Sequence, residues 1–535
     1  MNLKLKTLGK KLLLLIVFLI FSWSAQKWID PDFGWHYRLG QIITSTGIPK
    51  TDPFSFTMPS YSYVDHEWVL NIIYFHLYEN FNSFYPLAIL HALVATACPF
   101  IVLAGINKNK KRGLELIIIL LIWSTFFLRF GIRPQVFSWL FLSILIHILF
   151  NKKKWIQTRW ILPILFFFWA NMHGSYILGI GLLALYVGAR TYNNKKIEYY
   201  DYIALVLSFI STLINPYGLK LWEELLRQMI FGANLRRTIL EWMPSFLKFE
   251  IGFFALSVFT SVLMFMNRKR TLLFEKIILI GAIFFGTYSS RNAPLSVLLL
   301  SPLFIKYANY IREISKNIEY GGKRFNIFAK TLALTSLFIL TISVAIYLQT
   351  AVLFINENNF YPKSAIEFLV KDRKSRNVFA DYNYGGYLIW KAPNNKYFVD
   401  GRMDVFFWQA PKGESDYAFK EYLEITCGQV SIAEIADKYK IDLFVVSKIQ
   451  ENQTKNPFEP VIDAFKTFLV SLGFLYCKEQ INLAEELRKT DWVKVYEDEK
   501  VEIYEKTKTA NSVLENNQQI YCRTKTLRSL SHNIF

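Results

Sequence analysis

Between Ile29 and Trp68 the chain gathers Asp30, Asp32, Asp52, Asp65 and Glu67 with His36 and His66, and opposes them with Arg38 and Lys50 alone. The whole sequence leans the other way, with 61 Lys+Arg against 42 Asp+Glu. A carboxylate can take a proton from a hydroxyl or hold a divalent cation. Arginines elsewhere, at Arg129, Arg133 and Arg291, can grip a phosphate through paired, charge-assisted hydrogen bonds. The chemistry on offer is therefore proton transfer beside a recognised anion.

What must position these groups is a set of apolar runs. The chain is 53% hydrophobic and 17% aromatic over 535 residues. The runs fill the first two thirds and stop near Thr350, which predicts a polytopic, all-α membrane domain over 1–350. The start, MNLKLKTLGKK, is basic, and Leu12 to Ala25 reads as an uncleaved anchor with its N-terminus in the cytoplasm. A large first outward loop spans 29–83, with Trp68 to Tyr78 as an interfacial helix. Basic clusters at Lys108 to Arg112, Lys152 to Lys154, Lys195 and Lys196, Arg268 to Arg270, and Lys316 to Arg324 alternate with the runs. The positive-inside bias then predicts about 11 crossings, including a short double pass at Trp160 to Ala170 and Tyr176 to Ala189. The net charge of +19 is accounted for by these loops, and no nucleic-acid recognition module is visible.

An odd number of crossings places the remainder outside. Residues 351–507 are expected to form a small α/β domain, with strands at Asn377 to Asp381, Tyr387 to Trp390, Tyr397 to Val399 and Leu443 to Val446. Gly385-Gly386 is read as a turn, and Asp498 to Lys500 as the tip of a hairpin. The tail 508–535 is polar and expected to be disordered. None of the four cysteines (Cys98, Cys427, Cys477, Cys522) forms a C-x-x-C pair, and the last three allow one disulfide without fixing which.

Sorted by side, Asp30, Asp32, His36, Asp65, His66, Glu67, Arg129, Arg133, His173, Asn215, Glu241 and Arg291 all fall at outward ends. These are the parts needed to displace a lipid-linked phosphate from a sugar carbon. Plainer readings stand beside this one. Asp30-Pro31 and Asp52-Pro53 also read as turns, Trp28, Trp35 and Trp68 as interfacial belt residues, and Arg129 and Arg133 as headgroup anchors. His173 before Gly174 could cap a broken helix, and Asp400-Gly-Arg402 resembles a turn.

The layout resembles the GT-C superfamily of membrane glycosyltransferases, which includes protein O-mannosyltransferases and aminoarabinose transferases. Asp30-Pro31-Asp32 is a D-x-D just after the first span, where that superfamily carries its acidic motif. The string Asp32-x-x-Trp35-His36, Gly47-Ile-Pro49, Asp52-Pro-Phe-Ser55 and His66-Glu67-Trp68, with Asn215-Pro-x-Gly218 and Glu241-Trp242, is similar to a bacterial branch of it. The resemblance covers about residues 1–350 and implies a polyprenyl-phosphate or polyprenyl-diphosphate sugar donor. The acceptor would be a glycan, lipid or protein at the outer face of the cell membrane. It implies a catalytic carboxylate at Asp32, then Asp30, with Glu67 supporting. Substrate-binding roles fall to His36, Asp65, His66, Arg129, Arg133, His173 and Arg291. Metal dependence varies within that superfamily, so whether a divalent cation (Mg or Mn) sits on Asp30, Asp32 or Glu67 stays open. The competing functions are a lipid-linked glycan flippase or transporter, which would want mid-membrane charges or an inverted repeat, and an envelope polysaccharide polymerase or ligase.

Overall fold

In the computed structural model the described residues are 2–106, 113–151, 155–231, 239, 241–248, 250–316, 321–349, 357–371, 374–448, 467–471, 476–477 and 479–506. The basic clusters at 108–112 and 152–154, Cys522 and the tail 508–535 lie outside them. The chain divides into two units, one of residues 1–47 and 64–359, the other of 48–63 and 360–535. The first outward loop, read as one piece from the sequence, is thus shared between them.

The first unit is helical throughout. Its helices are α1 (Asn2–Lys27), α2 (Phe33–Thr46), α3 (Trp68–Phe81), α4 (Tyr85–Gly105), α5 (Gly113–Phe127), α6 (Gln135–Phe150), α7 (Trp155–Thr158) and α8 (Leu162–Met172). They continue with α9 (Tyr176–Asn194), α10 (Tyr199–Ser211), α11 (Leu219–Phe231), α12 (Ile251–Met266), α13 (Leu273–Tyr288), α14 (Ala293–Lys316) and α15 (Gly321–Leu348). Among the described residues three helices, α4, α14 and α15, are long and apolar enough to cross a membrane. That is fewer than the expected eleven. Most of the others are short: α6, for example, has 16 residues, which rise about 24 Å against a hydrocarbon core of about 30 Å. The stretch expected to pass twice forms two helices, α8 and α9, broken at His173 to Ser175, and neither is among the three.

Helices α2 and α3 form the platform that carries most of the acidic loop. Phe33, His36, Tyr37 and Gly40 recur at helical spacing on the buried face of α2. The Phe33 ring stacks on Tyr74 and meets Phe84 edge-on. The Tyr37 hydroxyl donates to Glu79 at 2.5 Å. Gly40 permits the close crossing, since a Cβ there would lie 2.0 Å from the Asn71 carbonyl oxygen.

The second unit has helices α16 (Ala365–Lys371), α17 (Gly385–Lys391), α18 (Ala418–Thr426), α19 (Ile432–Tyr439) and α20 (Leu483–Arg488). Its strands are β1 (Asn377–Ala380), β2 (Lys396–Tyr397), β3 (Leu443–Ser447), β4 (Trp492–Glu497) and β5 (Val501–Lys506), in the order β2-β1-β3-β5-β4. β1 is parallel to both β2 and β3, while β5 is antiparallel to β3 and β4. The expected strand over Tyr387 to Trp390 is instead helix α17, with all four residues buried. A short run that is apolar on every side carries no period to separate buried strand from buried helix. Gly385-Gly386 accordingly opens a helix and is not a hairpin turn.

Residues 48–63 belong to this unit through backbone pairing and a buried ion cluster. Ser55 bridges Tyr397 in parallel, Tyr397 N–H donates to the Phe54 carbonyl at 3.0 Å, and Thr57 Oγ1 donates to the Phe398 carbonyl at 2.8 Å. Arg402 meets Asp52 at 2.8 Å and grips both oxygens of Asp400 at 2.7 Å. Its guanidinium lies over the rings of Phe54 and Tyr63. Asp400-Gly-Arg402 forms the expected turn, closed by the Met403 N–H on the Asp400 carbonyl at 3.0 Å, and its Arg402 also holds Asp52. The pairing of the cysteines is also decided here: Cys427 is bonded to Cys477.

Candidate functional site

All the catalytic and substrate-binding candidates lie in the first unit. Helix α1 closes before Trp28, and the chain turns through Asp30 into α2. The Asp30 side chain caps that turn by accepting the Asp32 N–H at 2.9 Å. Its other oxygen is ion-paired with Arg133, whose second arm reaches Glu241. The Trp28 ring lies 5.0 Å from that guanidinium. Burial weakens the Arg133 cation, but Asp30, Glu241 and Asp32 outweigh it and raise its pKa further. Burial would raise the Glu241 carboxyl, yet Arg133, Arg291 and Arg129 hold it at about 2.

Asp32 stands at the N-cap of α2 without capping it. Its carboxylate accepts from the Trp35 indole at 3.1 Å and forms no ion pair with Arg133. Burial, reinforced by the neighbouring Asp30 charge and only partly opposed by Arg133, raises its pKa well above the usual carboxylate value. His36 follows one turn later, its N–H donating to the Asp32 carbonyl at 3.2 Å.

A second cluster is centred on Glu67. Its Oε1 lies 3.5 Å from His66 Nε2 and 3.6 Å from His173 Nε2, and its Oε2 lies 3.8 Å from His36 Nε2. Burial opposes the Glu67 charge, but the imidazoles, His66 foremost, hold its pKa well below the usual range. Burial lowers His36, and pushes His173 down to about 3, against the pull of Glu67. For His66 the same burial is outweighed by Glu67, so its pKa is raised. The surroundings thus favour the cation at His66, beside Glu67, and the neutral imidazole at His36 and His173. Asp65, pushed up to about 6 by burial, accepts the Glu67 N–H at 2.9 Å and the Asn71 amide at 2.7 Å. His173 sits at the break between α8 and α9, where Gly174 allows close passage: a Cβ there would lie 2.6 Å from Leu225 and 3.1 Å from His66.

The charge of Arg291 reaches both clusters. Its charge is felt at Glu241 on one side and at His66 and His173 on the other. It lies over the Trp242 ring, 5.0 Å from its centroid, and has no carboxylate at ion-pair distance among the described residues. Arg129 is committed elsewhere, its Nε donating to Glu250 at 2.7 Å. The site residue that sequence reasoning missed is Asn71. Its signal was present: one amide inside the apolar run Trp68-Val-Leu-Asn-Ile-Ile-Tyr.

Asp30 already carries Arg133, so the D-x-D does not offer two free carboxylates. No group of three or more His, Cys, Asp or Glu among the described residues is arranged to hold a metal ion.

No family model and no curated protein matches the chain. A solved structure does. The fold is similar to that of the Archaeoglobus fulgidus oligosaccharyltransferase, solved with a tethered acceptor peptide containing an NVT sequon, at a TM-score of 0.54. The match covers 81% of this chain and 68% of that one. The identity is 11%, so the likeness is one of fold. At that level the likeness supports the expected mostly helical fold, and it does not reach the bacterial branch.

Proposed function

We propose that this chain is a membrane glycosyltransferase that moves a sugar from a polyprenyl-phosphate or polyprenyl-diphosphate donor to an acceptor at the outer face of the membrane. In the step, the acceptor oxygen or nitrogen attacks the anomeric carbon. The bond from that carbon to the phosphate oxygen breaks, and the lipid phosphate departs with the electron pair. Asp32 accepts the proton lost by the acceptor. Arg291 meets the charge that grows on the leaving phosphate. The observation that carries this reading is the division within the acidic pair: Asp30 is locked to Arg133, while Asp32 has no cation of its own. The oligosaccharyltransferase-like fold supports it. The outer-face assignment is supported by the Cys427–Cys477 disulfide in the second unit, a bond that persists in oxidising compartments.

The test is transfer by the full chain in liposomes from a panel of radiolabelled polyprenyl-phosphate sugars. Asp32→Asn keeps the size and hydrogen bonding of the side chain but removes the basic oxygen. Turnover should fall by about two to four orders of magnitude, the range for a lost general base, with unchanged expression and donor binding. Chelation should leave the wild-type rate unchanged. Transfer by the Asn variant at the wild-type rate removes Asp32 from the mechanism. A chelator effect reversed by Mg or Mn returns the acidic pair to a metal-binding role.

A further inference from the structure

The imidazoles around Glu67 are not equivalent, and their outer hydrogen bonds show why. The Nδ1 of His173 accepts the Ser175 backbone N–H at 3.2 Å. It also faces Ser138 Oγ at 2.8 Å. That hydroxyl already accepts from the Trp169 indole at 3.0 Å and from Ser175 Oγ at 2.5 Å, so its own hydrogen goes to His173. With Nδ1 an acceptor, the ring hydrogen of neutral His173 sits on Nε2, facing Glu67 Oε1.

His36 is built the opposite way. Its Nδ1 lies 2.6 Å from Asn71 Oδ1. The Asn71 amide cannot be turned round, because its Nδ2 donates to Asp65 Oδ2 at 2.7 Å, and Asp65 Oδ1 is occupied by the Glu67 N–H. An oxygen at 2.6 Å requires the hydrogen to be on Nδ1. The lone pair of Nε2 is then left facing Glu67 Oε2 at 3.8 Å. Two acceptors that face each other call for a donor between them. Gly40 brings α2 and α3 close enough for the His36–Asn71 bond to form.

We infer that Asp65 and Asn71 are positioning residues that lock His36 as its Nδ1–H tautomer, making His36 Nε2 and Glu67 Oε2 a paired acceptor for an O–H or N–H of the bound sugar or acceptor. The pocket role rests on the glycosyltransferase reading; the tautomer does not. The experiment is two-bond 15N–1H correlation on the full chain in detergent at pH 7.5, with 15N-imidazole label in its seven histidines. His36→Gln assigns the signal. The wild type should show His36 with hydrogen on Nδ1 and a bare Nε2. Asn71→Leu and Asp65→Asn should each lose that pattern, and Asn71→Asp, which can still accept from Nδ1, should restore it. Wild-type His36 with its hydrogen on Nε2, or an unchanged pattern in Asn71→Leu, overturns the relay. The binding role is read by adding methyl α-mannoside or ethanolamine as a hydroxyl or amine probe at millimolar concentration. Perturbation of the His36 Nε2 resonance in the wild type but not in Glu67→Gln supports the paired acceptor. A correct tautomer with no response to either probe refutes the pairing and leaves the Asp32 assay to judge the parent reading separately.

Discussion

The guanidinium of Arg133 separates Asp30 from Asp32 chemically, although one proline separates them in the chain. A carboxylate held by a permanent counter-ion is a poor proton acceptor, and of the two only Asp32 is without one. Its raised pKa fixes the sign of a pH effect: the basic form disappears as pH falls through a value above the ordinary Asp pKa of about 3.9. The acid limb of the rate profile should therefore lie above that value, and the residual rate of Asp32→Asn should lack the limb. The arginines divide in the same manner. Arg133→Ala strands the buried Asp30 carboxylate, and thermal unfolding in detergent should show a loss of about 3–5 kcal/mol. Arg291 holds no carboxylate among the described residues, so Arg291→Ala should unfold like the wild type while its affinity for polyprenyl phosphate drops. Arg291→Lys keeps the charge without the planar fork and should fall between the two. Equal phosphate binding by wild type and Arg291→Ala would make Arg291 an anchor only.

At the scale of elements, the α2–α3 pair and the break between α8 and α9 do the positioning. α2 brings His36, the turn before α3 brings Asp65, His66 and Glu67, and the break brings His173. None of these elements holds the cluster alone. The crossing at Gly40 sets the spacing, because the added methyl of Gly40→Ala would press on backbone and not on a flexible side chain. Overpacking of this kind costs about 1–3 kcal/mol. The variant should lose the His36–Asn71 bond while the second unit, which shares no residue with this crossing, stays folded. Limited proteolysis checks this: cleavage should appear within 64–84 and not within 374–448. A Gly40→Ala protein as protease-resistant as the wild type would mean that the helices part without consequence.

At the scale of the whole molecule, residues 48–63 and 360–506 share one compact unit, so both segments lie on one side of any membrane the chain spans. The chain between them must then cross an even number of times. The ten crossings that the basic loops predict after residue 64 would satisfy that parity, whereas the three long apolar helices by themselves would not. The expected outcome is outward exposure of both segments. In intact cells, a membrane-impermeant maleimide should label Cys427 and Cys477 after an impermeant reductant and not before it. Labelling that requires permeabilisation would place this unit, and the loop segment with it, in the cytoplasm. Within the unit, Arg402→Met leaves Asp52 and Asp400 as buried, unpaired carboxylates and should release residues 48–63 from the sheet edge.

Patterns carried by neighbouring residues were legible in the sequence alone. The helical runs, the basic loops, the acidic segment after α1, the hairpin of β4 and β5 and the change near Thr350 each follow from local spacing and composition, which a chain displays without folding. Tertiary structure decided what depends on distant partners. Asp30 and Asp32 look alike until Arg133, a hundred residues on, takes one of them. Asn71 reads as an isolated polar residue until α2 crosses α3 and gives it His36 to hold. Asp400-Gly-Arg402 is the turn it reads as, but its hold on Asp52 shows only in the fold, and Tyr387 to Trp390 reads as a strand until packing closes round it as a helix. A side chain's type limits what chemistry it can perform, but its charge state and hydrogen-bond direction are set by neighbours that only the fold assembles.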